Sequence, residues 1–177
     1  MAYTDAMPGW EEAYESWFQE AGPLLAASRW EDAFVDYPWV KPVDTPFAPL
    51  AKPLDRARLG VVSTAGFFVT GEQAPFTAED VEGDPTYRVL PPDVKAADLS
   101  ISHNHYPHDA ARADWNAVLP LDHLRAMVGA GELGGLGPVI SISGYCTNAA
   151  RLGRESAEAI ATGVREAGCD ALLLVPV

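Results

Sequence analysis

From Arg58 onwards, apolar segments of strand length alternate with segments of helical character. The segments "RLGVVSTAGFFV", "AADLSISHNHY", "GPVISISGY" and "DALLLVPV" have the apolar composition of strands, and the first strand is predicted to end in a Thr-Ala-Gly turn. Between them, "PLDHLRAMVGAGELGGLG" and "NAARLGRESAEAIATGVREAG" have the pattern of helices that end in glycine. This alternation is typical of βαβ units with right-handed crossovers. We therefore expect an α/β fold with a mostly parallel sheet and flanking helices.

Two segments carry more specific expectations. The run Ala171 to Val175 is apolar without interruption, which predicts a strand buried on both faces. The segment "GEQAPFTAEDVEGDPTYRVLPPDV" is predicted to be rich in turns, with Gly83, Asp84 and Pro85 breaking any regular structure.

The chain begins with an aromatic helix. Trp10, Tyr14, Trp17 and Phe18 fall on one helical face between Pro8 and Gly22–Pro23. A second short helix is predicted to carry Trp30 and Phe34. The aromatic face can pack inside the chain or dock another subunit, and its spacing fits both.

A proline-rich stretch divides the chain. Prolines recur at positions 38, 42, 46, 49 and 53, which indicates an extended connector. We predict an N-terminal helical extension over residues 1–36, a connector over residues 37–53 and an α/β domain over residues 54–177.

Charge and hydropathy exclude several function classes. The chain has 12 Lys and Arg against 25 Asp and Glu, a net charge of -13. That balance argues against binding to nucleic acid or to an anionic membrane. No apolar run approaches the ~18 residues of a membrane span, and "MAYTDAMPGW" is not a secretion signal. We expect a cytoplasmic protein in which Cys146 and Cys169 are free thiols.

The loop "SHNHYPHDAARADWN" contains three of the four histidines. In α/β sheets, ligands bind beyond the carboxyl ends of the strands, and this loop follows a predicted strand. Imidazole and carboxylate groups there can act as general acids or bases, or can bind a substrate carboxylate. The predicted catalytic residues are His103, His105 and Asp109. The predicted substrate contacts in this loop are Tyr106 and His108.

A zinc site is an alternative for the same loop, because imidazole and carboxylate are common zinc ligands. The nearest pattern is the HxHxDH loop of metallo-β-lactamase-like hydrolases. Here Pro107 occupies the acid position, Asp109 comes two residues too late, and only His123 remains downstream. We therefore expect no metal, and a metal-dependent hydrolase ranks third among the functions.

The segment "SGYCTNAAR" adds two predicted substrate contacts, Cys146 and Arg151. A thiol before a helix that starts near Asn148 has a lowered pKa and is reactive, whereas a turn cysteine without a neighbouring base is inert. Arg151 either binds a carboxylate or is solvated. No P-loop, GxGxxG or GxSxG motif occurs, and "GAGELGGLG" ends a helix, so phosphate binding is not expected.

Four segments together resemble a known family. "VVSTAGFF", "EDVEGDPTYRVLP", "DLSISHNHYPHDAARADWNAVLPLDHLRAMV" and "EAGCDALLLVPV", in that order, are similar to the selenoprotein B family of glycine, betaine, sarcosine and D-proline reductases. The likeness is nearest to the shorter, D-proline-reductase-like branch and extends over residues 47–177. Where relatives often carry an "HFxFMG"-like stretch, this chain has "VISISGYCTN", which leaves the shape of the substrate open.

The resemblance implies a position for the nucleophile. In the family, the "LLLVPV" strand runs directly into a selenocysteine, or into a cysteine in some members. A selenocysteine is therefore expected directly after Val177, at a UGA codon that is commonly read as a stop. The alternative is a natural terminal strand.

The resemblance also implies a reaction, the reductive cleavage of a carbon–nitrogen bond in a small amino acid or amine. A selenolate attacks the α-carbon while a pyruvoyl group of a partner reductase subunit holds the substrate as a Schiff base. A thiol and then a dithiol or thioredoxin-type reductant regenerate the selenolate. His103, His105 and Asp109 would donate a proton to the leaving amine or orient the selenolate. No cofactor is expected in this chain itself. The alternative is a non-catalytic relative that binds a ligand or a subunit.

Overall fold

The computed structural model describes residues 9–41 and 47–177. Its main sheet has four strands in the order β3-β5-β1-β6, and β5, β1 and β6 are parallel. Strand β3 is antiparallel to β5 at one edge. The strands are β1 (Arg58–Ser63), β3 (Tyr87–Leu90), β5 (Gly135–Ile142) and β6 (Ala171–Val175). The predicted α/β fold with a mostly parallel sheet is confirmed. Pro8, Pro42 and Pro46 lie outside the described residues.

A second, two-stranded sheet pairs β2 (Phe67–Val69) with β4 (Leu99–Ile101) in antiparallel fashion. In "RLGVVSTAGFFV", the predicted strand is β1, which ends at the predicted Thr-Ala-Gly turn, and β2 follows the turn in a different sheet. Gly66, with φ of 70°, turns the chain between them. The histidine loop follows β4 and so leaves this small sheet, whereas the sequence pattern predicted a strand of the main sheet.

Residues 71–94 are rich in turns as predicted, but they also contain the strand β3, which was not predicted. Only Leu90 of that strand is buried, so β3 lacks the apolar run that marks a central strand. Its pairing with β5 runs from Tyr87 opposite Ile142 to Leu90 opposite Val139. An edge strand that depends on such long-range pairing has little local signal.

Helices cover both faces of the main sheet. The helices are α1 (Trp10–Ala26), α2 (Trp30–Ala33), α3 (Asp109–Ala113), α4 (Leu121–Gly129), α5 (Ala149–Leu152) and α6 (Glu158–Glu166). A π-helical turn, Gly153–Ala157, joins α5 to α6. Short 3-10 turns occur at Leu54–Arg56, Ala96–Asp98 and Trp115–Ala117. The predicted helices after Asp122 and after Asn148 are confirmed.

Two apolar layers hold the sheet. On one face, Val61 and Val139 pack with Leu119, Leu121 and Leu133, all nearly inaccessible to solvent. On the other face, Ile160 and Val164 of α6 cover Val62 and Ile140. Burial of each such side chain stabilises the fold by about 1.5–3 kcal/mol.

Strand β6 differs from its prediction. Leu172 and Leu174 are 37% and 65% exposed, so β6 is not buried on both faces. Because α6 packs over β1 and β5, the side chains of β6 on that face are only partly covered. Within the described residues, β6 pairs only with β1, which makes it an edge strand.

The N-terminal helices pack against the sheet domain. Trp10, Tyr14 and Trp17 are buried in one cluster with Ala150 of α5. The aromatic face of α1 is therefore a packing face within the chain. Helix α1 also continues past the predicted stop at Gly22–Pro23 to Ala26, because Leu25 behind the proline is buried. The division into extension, connector and domain stays a prediction.

Candidate functional site

The candidate site begins where the three parallel strands end. The backbone N–H of Thr64, which follows β1, donates to Val175 O at 3.1 Å. The backbone N–H of Val177 donates to Thr64 Oγ1 at 2.9 Å. Gly66 N–H donates to Ile142 O, the last residue of β5, at 3.0 Å. Thr64 therefore lies where the carboxyl ends of β1, β5 and β6 meet.

Close glycine contacts bring the histidine loop to this edge. Ser102 N–H donates to Gly66 O at 2.9 Å, and a Cβ on Gly66 would lie 2.7 Å from Ser102 O. Gly144, with φ of 73°, faces Thr64 and His103: a Cβ there would lie 2.3 Å from Thr64 O and 3.0 Å from His103 Nε2. The sequence therefore requires glycine at both positions, and His103 Nε2 lies beside Thr64.

His103 is held as a neutral imidazole. Its ring is buried, 6% exposed, and Nδ1 accepts the backbone N–H of His105 at 3.0 Å. Burial, together with the neighbouring imidazoles of His105 and His108, lowers the pKa of His103 to about 4. Because Nδ1 is an acceptor, the proton resides on Nε2, which faces Thr64 and Gly144. His103 is therefore a hydrogen-bond donor toward the strand ends at neutral pH.

Two loop residues predicted to contact substrate also brace the loop. His108 Nε2 donates to His103 O at 2.6 Å, and the Tyr106 hydroxyl donates to Ala65 O at 3.0 Å. Burial raises the pKa of Tyr106 to about 12, so its hydroxyl remains protonated. The Tyr106 ring also contacts His103 edge-on, with centroids 4.9 Å apart.

His105 lies on the solvent side of the loop. Its ring stacks on Tyr145, with centroids 3.9 Å apart, and Trp30 meets it edge-on at 4.8 Å. Partial burial lowers the pKa of His105, and the Glu79 carboxylate acts in the opposite direction. Asn104 Nδ2 donates to Glu79 Oε1 at 2.6 Å and fixes that carboxylate.

An aromatic groove opens beside His105. Its volume is about 660 Å³. The groove is lined by Trp30, Phe34, Trp39, Asn104, His105, Tyr106, Pro107 and Tyr145. It is the size of an ordinary small-molecule site, and none of these lining residues carries a formal positive charge at neutral pH.

In the part of the chain that the structure describes, neither the Asp109 carboxylate nor the Arg151 guanidinium forms a hydrogen bond or ion pair with a loop histidine. Asp109 begins α3 and is exposed, and within the described residues its carboxylate holds no hydrogen bond or ion pair. The Arg151 guanidinium lies 3.0 Å from Glu82 Oε2 and 2.8 Å from Glu155 Oε1. The Arg151 guanidinium was expected to bind a substrate carboxylate, but its charge is already paired with these two glutamates.

Cys146 differs from the reactive thiol that a helix N-terminus would favour. Burial raises its pKa to about 11, and Sγ contacts Asn148 O at 3.5 Å. Helix α5 has only four residues, and its effect does not overcome the burial of the thiol. At neutral pH Cys146 is a protonated thiol, which corresponds to the turn-cysteine interpretation.

The structure adds three residues to the site that were not among the predicted site residues. They are Thr64, Gly144 and Trp30. Thr64 and Gly144 follow predicted strands, so their place at a strand end was a usable signal. Trp30 has no such signal, because it lies 75 positions before His105 and meets it only through packing. Among the residues that the structure describes, no group of three His, Cys, Asp or Glu side chains is arranged to hold a metal ion.

The fold and this edge define an α/β protein with a polar site at the carboxyl ends of parallel strands, covered by a histidine loop. Its family follows from sequence comparison. The sequence model of the glycine/sarcosine/betaine reductase selenoprotein B family matches residues 34–177, and the chain belongs to this family. The family is one of reductases, so the hydrolase interpretation has no support.

A curated relative agrees with this assignment. The chain is 27% identical over 129 residues to D-proline reductase subunit gamma of Acetoanaerobium sticklandii. The match covers 72% of this chain and 52% of the relative, so the chain spans about half the length of that relative. No solved structure matches the chain significantly. In residues 9–41 and 47–177, no helix has the length and apolar character needed to cross a membrane.

Proposed function

We propose that this chain is part of a selenoprotein B-type reductase that cleaves a C–N bond of a small amino acid or amine of the D-proline, glycine, betaine or sarcosine class. The observation that carries the proposal is the position of Val177. Its N–H is bonded to Thr64 Oγ1, and Thr64 and His103 Nε2 both lie against Gly144. A nucleophile directly after Val177 would therefore start next to a buried hydrogen-bond donor.

In the proposed reaction, two electrons from a dithiol or thioredoxin-type reductant convert the C–N bond into C–H and N–H bonds, with a selenolate as nucleophile and a partner subunit's pyruvoyl group holding the substrate. The residues of this chain supply the surroundings of the nucleophile. His103 Nε2–H donates to the selenolate and orients it, since a neutral imidazole donor stabilises an anion without giving up its proton.

His105 has the complementary role. It is exposed in the aromatic groove, whereas His103 is buried behind it. We assign to His105 the relay of a proton from solvent to the leaving amine, because it is the loop histidine with solvent access and its ring contacts both Tyr145 and Trp30. Tyr106 lines the same groove and contacts the substrate in this scheme, while His108 holds the loop backbone.

Asp109, Cys146 and Arg151 are left out of the catalytic set. Asp109 is exposed without a partner among the described residues, Cys146 is a half-buried neutral thiol, and Arg151 is paired with two glutamates. The groove binds a neutral or ammonium group more readily than a carboxylate group, because no residue in its lining is a cation that could pair with the carboxylate. We assign the protein to the cytoplasm, where thiols stay reduced.

The test uses the protein extended past codon 177 and combined with its partner subunit. Selenocysteine, cysteine and serine are compared at the position after Val177, with dithiothreitol as reductant and release of the reduced acid as readout. The proposal predicts activity with selenocysteine, weaker activity with cysteine and none with serine. Equal activity of the serine form, or of the 177-residue chain, would show that no selenolate is involved and would favour a non-catalytic binding role for this chain.

A further inference from the structure

Trp30 lies outside the residues that match the family and yet contacts the histidine loop. The family match begins at residue 34, whereas Trp30 begins α2. Its ring meets His105 at 4.8 Å and Tyr145 at 5.9 Å, at an interplanar angle of 87° in both cases. The N-terminal helices of this chain therefore extend the site beyond the part shared with the family.

The position of Trp30 is built into the fold. Trp17 Nε1–H of α1 donates to Ala33 O at the end of α2, at 2.8 Å. Tyr37, just after α2, donates its hydroxyl to Thr147 O at 2.7 Å, and the Tyr14 hydroxyl lies 2.9 Å from Thr147 Oγ1. These bonds tie both ends of the helix pair to the loop that carries Tyr145.

We propose that Trp30 is a positioning residue that holds the His105 imidazole against Tyr145, so that the N-terminal helix pair completes the reductase site. The stack of His105 on Tyr145 leaves the imidazole free to slide and rotate unless its edge is also restrained. Trp30, perpendicular to both rings, provides that restraint and closes one end of the groove. The catalytic part of this inference rests on the proposed function, whereas the structural part does not.

The groups around His105 determine how its pKa changes when Trp30 is removed. Facing His105 are the imidazole of His103 from the same loop, the phenol of Tyr145 and the carboxylate of Glu79. Trp30 adds apolar cover that disfavours the charged imidazolium, and Glu79 favours it. Removal of the indole admits water and leaves the carboxylate in place, so the pKa of His105 rises toward its ordinary value.

The first measurement is the NMR titration of the His105 imidazole in the full chain. The variants are W30A and W30L, with W30F as the conservative rescue. V35A is the matched control, because Val35 is 74% exposed and does not line the groove. We expect the pKa of His105 to rise and its ring signals to broaden in W30A and W30L. The wild-type values are expected to persist in W30F and V35A. W30L keeps the inference testable if W30A fails to fold.

The second measurement is steady-state kinetics of the complete reductase. A positioning role predicts that W30A lowers kcat about tenfold with a smaller change in KM, since misplacement of a proton donor slows the reaction without removing the binding surface. W30F should restore most of kcat. An unchanged His105 titration in folded W30A and W30L would overturn the inference even if the reductase is active. If the pKa of His105 shifts in W30A and W30L but the wild-type complex has no reductase activity, Trp30 remains the positioning residue. That result would count against the proposed function alone.

Discussion

Val177 donates its backbone N–H to Thr64 Oγ1 at 2.9 Å, and this single bond joins the last residue of the chain to the end of the central strand β1. Thr64 N–H returns a bond to Val175 O at 3.1 Å. The hydroxyl therefore extends the β1–β6 pairing by one step beyond the regular strands. The residue after Val177 that the proposed function requires would start from this anchored point, next to the Thr64 that packs against Gly144.

Loss of the Thr64 hydroxyl should misplace the nucleophile. T64V keeps the shape of the side chain and removes the acceptor for Val177 N–H, while T64S retains it. We expect kcat of the complete reductase to fall about tenfold in T64V and to stay near wild type in T64S, since a misplaced reacting group slows the chemical step. T70V removes a hydroxyl that bonds Ser100 in an exposed position and serves as the control. Equal kinetics in T64V and T70V would contradict the anchoring role.

Gly144 should tolerate no side chain. Its φ of 73° and the 2.3 Å from an added Cβ to Thr64 O predict that G144A loses about 2–4 kcal/mol, the sum of backbone strain and a forced backbone shift. Gly71 has φ of 78° with nothing within 4 Å of an added Cβ, so G71A carries only the strain. Urea unfolding of the two variants isolates the contact. A G144A cost no larger than that of G71A would mean that the strand ends are not closely packed.

The buried neutral state of His103 predicts a pH dependence of stability. Its folded pKa is about 4, below the ordinary value of 6.5 that it has in the unfolded chain. Between these values the unfolded chain binds more protons, so the stabilisation present above pH 6.5 is lost as the pH falls toward 4. This contribution amounts to about 3 kcal/mol. H103Q should flatten the dependence of the free energy of unfolding on pH in this window. An identical pH profile in H103Q would show that His103 is not held neutral.

Asp84 should be essential for the loop that precedes β3. Its buried carboxylate accepts the backbone N–H and the hydroxyl of both Thr77 and Thr86. Burial acts to raise the pKa of Asp84, but the four hydrogen bonds outweigh burial and lower the pKa below its usual value, so the charged form is favoured. D84N should cost about 2–4 kcal/mol in urea unfolding, because an amide nitrogen then faces donors. D80N, in an exposed turn, should cost less than about 1 kcal/mol. Similar costs for D84N and D80N would refute the role of Asp84.

The sequence predicted the strands and helices whose residues carry a strong local hydrophobic pattern. The apolar runs of β1 and β5 and the periodicity of α4 and α6 identify these elements without tertiary information. Strand β3 was missed because its exposed residues are fixed by pairing with β5. The burial of β6 was overestimated because an apolar run does not reveal which strand lies at a sheet edge.

The candidate site was predictable as a location and less so in its chemistry. His103 and His105 were placed together because they share one loop after a strand. Their different states depend on a backbone bond from His105 N–H to His103 Nδ1 and on the stack with Tyr145, which residue spacing does not encode. The inert thiol of Cys146 and the paired guanidinium of Arg151 likewise follow from burial and from partners distant in sequence.

The most direct test of the proposed reductase is mass spectrometry of the natural, full-length protein after alkylation with iodoacetamide under reducing conditions at neutral pH. A selenolate is ionised there and reacts quickly, whereas the Cys146 thiol, with a pKa of about 11, reacts slowly. The proposal predicts a selenium-containing, alkylated residue directly after the sequence "LLLVPV". A protein that ends at Val177, or that continues with a residue other than selenocysteine or cysteine, would contradict it.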